Sequence, residues 1–98
     1  MKFRIAISAF ATCLALSAVS AQAACYADYK AKRDNPLRLH YGVVELPDNA
    51  CSSRGAAERT VSQKIRRDGW ELLNVMSIFG SDGLAERKDS AGAYYLRY

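Results

Sequence analysis

The chain has 98 residues, 50% hydrophobic and 24% charged, enough apolar material for one small core and too little for two domains. Its 14 Lys and Arg exceed its 10 Asp and Glu, but two of those cations, Lys2 and Arg4, sit at the extreme N-terminus. Without them the balance is +2, too even to indicate a nucleic-acid partner.

The opening MKFR is cationic, IAISAFATCLALSAVS is apolar, and Ala21-Gln22-Ala23 places small residues at both recognition positions of a signal peptidase. This pattern predicts a secretory signal peptide over residues 1–23, cleaved after Ala23. The apolar run is shorter than the ~20 residues a spanning helix needs. The expected product is therefore one domain, residues 24–98, periplasmic or secreted and without a transmembrane segment. Of three cysteines, Cys13 leaves with the signal, so Cys25 and Cys51 remain as an even pair, which an oxidising compartment favours joining. Their bridge closes a loop of about 27 residues, and the chain-entropy argument gives it about 3.5 kcal/mol. A rival reading makes Cys25 the lipidated first residue of a lipoprotein. Gln22-Ala23-Ala24 has the small pair such a signal uses but lacks the apolar residue three positions upstream, and lipidation would leave Cys51 unpaired.

Residues 25–35, CYADYKAKRDN, are good helix formers up to Asn35-Pro36 and predict a short helix with Cys25, Tyr26 and Tyr29 on one side. In LRLHYGVVEL, residues 37–46, Leu37, Leu39, Tyr41 and Val43 alternate with Arg38, His40 and Gly42, the pattern of a half-buried strand. Pro47-Asp48-Asn49 stops it. From Ser53 the period becomes helical: Ala57, Val61 and Ile65 recur every four residues, Ser52 or Ser53 is the N-cap, and Gly69 is the left-handed residue past the end. Trp70 to Phe79 is apolar on both alternating sets, Trp70, Leu72, Met76 and Ile78 against Leu73, Val75 and Phe79, which predicts a central strand with Asn74 as its polar exception. Gly80 to Gly83 is a turn, Leu84 to Lys88 fits either helix or strand, and AYYLRY at the end is β-prone.

A strand ending in VVEL, a helix ending in an arginine-rich turn, then Gly69-Trp70-Glu71-Leu72 and a closing YYLRY resemble small bacterial domains of unknown function in which a helix runs into a Gly-Trp-Glu-Leu strand. The resemblance spans residues 37–98. It implies a β-α-β-β layout and carries no catalytic residue.

His40 is the only histidine, so paired-histidine metal sites are excluded and no metal or cofactor is expected. The carboxylates Glu45, Asp48, Glu58, Asp68, Glu71, Asp82, Glu86 and Asp89 are dispersed, Gly80-Ser81-Asp82-Gly83 lacks the lysine of a phosphate loop, and Ser53 and Ser81 have no histidine near them in sequence. Two surfaces are candidates for binding. Arg59, Gln63, Arg66 and Arg67 fall on the outward side of the predicted helix and suit an anionic partner. Tyr41, Tyr94, Tyr95 and Tyr98 could form an aromatic patch. The reading is an exported α+β domain, a small three-stranded mostly antiparallel sheet under one main helix, with an N-terminal segment tethered through Cys25 and Cys51. Its expected role is non-catalytic binding of a cell-envelope component or another protein. The alternatives are a small envelope enzyme using carboxylates around His40, or a structural lipoprotein.

Overall fold

A computed structural model describes residues 25–98. The predicted signal peptide and its expected cleavage site lie outside the described residues. The architecture is α+β: three antiparallel strands, β1 (Cys25–Arg33), β2 (Arg38–Leu46) and β3 (Glu71–Phe79), with α1 (Arg54–Arg66) and the shorter α2 (Ala85–Ala91) packed on them. The order across the sheet is β2-β1-β3.

The first correction falls on residues 25–35, which form β1 and not a helix. Cys25, Ala27, Tyr29 and Ala31 are all buried in the main core, whereas Lys30 between them is exposed, a period of two that only a strand satisfies. Tyr26 accordingly points away from Cys25 and Tyr29 and stacks on Phe79, with 6.2 Å between ring centroids. The N-terminal segment is thus the middle of the sheet, where two rows of ladder hydrogen bonds outweigh the high helix propensity of Ala and Lys. The chain order is β-β-α-β in place of β-α-β-β, because the third strand comes from residues 25–33 and not from the C-terminus. Ala93–Tyr98, expected as a strand, instead completes a 3-10 turn (Gly92–Tyr94) and forms a tail touching β2 through one parallel bridge, Val43 to Tyr95.

β2 forms as expected and Val43 is buried, but the α1 core lies against the other face of the strand. Register with β1 sets Leu46, Val44, Gly42 and His40 on the α1 side, opposite Cys25, Ala27, Tyr29 and Ala31. Leu39 is left 66% exposed and Leu37, in the hairpin turn, 62%. Gly42 is needed here, because a Cβ on it would lie 2.5 Å from the Tyr29 hydroxyl oxygen.

α1 is built as its sequence directs. The Ser53 hydroxyl accepts from the Ala56 amide at 3.1 Å, and Ala57, Val61 and Ile65 are fully buried. Past its end, Gly69 (φ 83°) donates to the Arg66 carbonyl at 2.9 Å and Trp70 to Ile65 at 3.3 Å, the paired bonds of a Schellman motif.

β3 is an edge strand, not the central one. Two irregularities interrupt its register with β1, such that Val75 pairs with Tyr29 and Ser77 with Asp28, skipping Met76, and Leu72 pairs with Ala31 and Asn74 with Lys30, skipping Leu73. These bulges reset the alternation. Leu72, Val75 and Ile78, three residues apart, all face the α1 core, while Leu73 and Met76 are turned out, 49% and 42% exposed.

The predicted bridge is present: Cys25 and Cys51 are joined by a disulfide that ties the start of β1 to the loop before α1.

Candidate binding site

Three arrangements surround this frame. The first is a groove. α1 contributes Gly55, Glu58, Arg59, Ser62, Gln63 and Arg66, so that two arginines stand against one carboxylate, β3 contributes Leu72, Leu73 and Asn74, and together they line an open volume of about 470 Å³. The helix repeat sets Arg59, Gln63 and Arg66 on one side because they recur at four and three residues. Arg67 is one step too far round. It does not line the groove, and its guanidinium donates to the Lys64 carbonyl at the helix end. Below the groove, Arg54 donates to the Val75 carbonyl and links the first turn of α1 to the edge strand.

The second arrangement is a buried carboxylate on the opposite sheet face. Asp28, 6% exposed, accepts from Tyr41 Oη and Ser77 Oγ at 2.7 Å each and from Arg87 Nε at 3.1 Å. Strands β1, β2, β3 and helix α2 thus meet at one side chain. Burial alone would raise the Asp28 pKa, but the hydrogen bonds from Ser77, Tyr41 and Arg87 and the Arg87 charge outweigh it and hold the carboxyl below its ordinary 3.8. A group with a depressed native pKa contributes its full stability above the unfolded value and loses it as the pH falls through the native one. Stability should therefore fall as the pH drops below about 4, and Asp28→Asn should flatten that part of the profile in urea unfolding across a pH series. The sequence does not single out Asp28, because a helix over residues 25–35 gives it no face shared with Tyr41 or Ser77.

The third arrangement is aromatic. His40 stacks on Tyr94 with 3.7 Å between centroids, meets Trp70 edge-on at 4.3 Å, and shares a 2.8 Å hydrogen bond between its Nε2 and the Tyr29 hydroxyl. Burial, then the charges of Arg33 and Arg97, push its pKa down to about 4, so the ring is neutral at neutral pH. Its Nδ1 is buried without a partner. Trp70 is 5% exposed and is covered by the Arg33 guanidinium at 4.2 Å, and Arg33 also donates to the Asp68 carbonyl at 2.8 Å. Tyr98 donates to the Asp68 carboxylate at 2.7 Å, and Lys64 reaches the Tyr98 carbonyl at 3.2 Å, strapping the tail to the end of α1. The four tyrosines considered as one patch are consequently divided. Tyr94 and Tyr98 serve this cluster, and Tyr41 serves Asp28. Among the described residues no group of three or more His, Cys, Asp and Glu could hold a metal ion, and no helix is long and apolar enough to cross a membrane.

Comparison of the chain with protein-family models, with curated proteins and with solved structures finds no match.

Proposed function

We propose that the protein is an exported, non-catalytic binding module that holds an acidic segment of a partner protein in the groove between α1 and β3. The observation that carries this reading is the convergence of Arg59, Gln63 and Arg66 on a groove whose other wall is an edge strand. Guanidinium groups match carboxylates in a bidentate fork, and the amides of Gln63 and Asn74 suit the polar groups of an extended chain. Leu72 and Leu73 supply apolar contact beside them. A groove between a helix and an edge strand is a recurrent peptide-binding shape. The two bulges twist the edge strand and disfavour simple addition of a further strand, which leaves specificity to the side chains of the groove. Export is supported by the signal-like N-terminus and by the disulfide, which persists in oxidising compartments.

The test is a pull-down from envelope extract with the oxidised protein, read against Arg59→Glu/Arg66→Glu. Charge reversal should lower capture of acidic partners by about ten-fold or more, since truncating or reversing a charged contact costs about 2 kcal/mol. Its melting temperature should stay at the wild-type value, because both side chains are exposed. Equal capture by the two proteins would remove the groove from the binding surface.

A further inference from the structure

The tip of the β1–β2 hairpin has no role in the core or in the groove, and its composition is unusual for a free surface. Leu37 and Leu39 are the most exposed large apolar residues described, at 62% and 66%. Leu39 stands directly across from Lys32 in the strand pairing, and the neighbouring pair on the same face is Lys30 with Tyr41. Lys30, Leu39, Tyr41 and Leu73, together with Ala31 and His40, line a shallow hollow of about 290 Å³. Arg38 is exposed between the two leucines in sequence. The acids at this end, Asp34 and Glu71, are both engaged by Lys32, at 3.3 and 3.8 Å, whereas among the described residues neither Lys30 nor Arg38 is in an ion pair.

We infer that this tip docks on an anionic phospholipid surface, with Leu37 and Leu39 entering the acyl boundary and Lys30 and Arg38 meeting lipid phosphates. Leu37 lies in the hairpin turn and Leu39 at the start of β2, so both exposed apolar side chains sit at the end of the hairpin. Lysine and arginine have long apolar stems that allow their charges to stay at the headgroups while the adjoining leucines sink. Positive charge beside the apolar tip complements the negative potential of anionic lipids. This surface shares Leu73 with the lining of the α1 groove but none of the groove's charged residues.

The experiment is co-sedimentation of the exported, oxidised protein with phosphatidylglycerol–phosphatidylethanolamine vesicles and, separately, with phosphatidylcholine vesicles. The wild type should pellet with the anionic vesicles, less so as salt rises, and stay in solution with the zwitterionic ones. Leu37→Ser/Leu39→Ser and Lys30→Glu/Arg38→Glu should each reduce partitioning by about ten-fold with an unchanged melting temperature, and Arg59→Glu/Arg66→Glu should stay within about two-fold of wild type. Failure of the wild type to pellet, equal pelleting with both lipids, or indifference to both tip variants would overturn the inference. So would a loss confined to Arg59→Glu/Arg66→Glu, which would move the surface to α1. A concentration-dependent dimer abolished by Leu37→Ser/Leu39→Ser, without vesicle binding, would reassign the tip to self-association.

Discussion

Trp70→Ala should lower the unfolding free energy by about 3–5 kcal/mol, the usual cost of emptying a buried aromatic site. The indole is buried in the α1-side core, with His40, Tyr94 and the Arg33 guanidinium around it. Its removal would open a cavity between the end of α1, the first residues of β3 and the tail. It would also expose the His40 ring to water and relieve the burial that depresses its pKa. Urea unfolding gives the free energy, and NMR titration of the single histidine should show its pKa moving up toward 6.5. Arg59→Ala/Arg66→Ala, on the exposed side of α1, should change stability by less than about 0.5 kcal/mol. A Trp70→Ala protein that unfolds like the wild type would place the ring outside the core.

Loss of the disulfide should be the next most costly change. Reduction, or Cys25→Ala/Cys51→Ala, should lower stability by about 2–4 kcal/mol, because the unfolded chain regains the freedom of a closed loop. The bridge spans 26 positions and anchors the first residue of the central strand, so its loss frees the end of β1 as well as the loop. Urea unfolding with and without reductant measures the difference. Thiol labelling of the unfolded, unreduced protein should find neither Cys25 nor Cys51 free.

α1 was legible from residue chemistry because each of its signals is local. The Ser53 cap, the spacing of Ala57, Val61 and Ile65, and Gly69 at the end depend on neighbours a few positions away. β1 was not legible for the opposite reason. Three of its inward residues are Cys25, Ala27 and Ala31, which are small and weakly apolar, so a buried face looked like helix-forming filler. Once β1 is missed, β3 is misread too. Its two apolar sets suggest burial on both faces, whereas bulges at an edge produce the same pattern and leave Leu73 and Met76 outside. The aromatic tail reads as a strand until Leu96, whose φ of 55° turns the chain after a single bridge. The same logic divides the groove. Arg59, Gln63 and Arg66 follow from helical periodicity, but the β3 wall opposite them exists only because β1, and not β3, is the middle of the sheet.

The position of β1 also imposes an order on assembly. A chain that emerges N-terminus first presents the β1–β2 hairpin early, since its strands are joined by only a short turn. The second edge of β1 must then wait for β3, which begins at Glu71, after the whole of α1 has appeared. During that interval the middle of the future sheet is an unpaired edge with open backbone donors and acceptors, the kind of template on which nascent chains associate. The lysines at positions 30 and 32 lie on that waiting strand. They place positive charge on two successive residues of one face, and repulsion between copies discourages β1 from pairing with itself before its proper neighbour arrives.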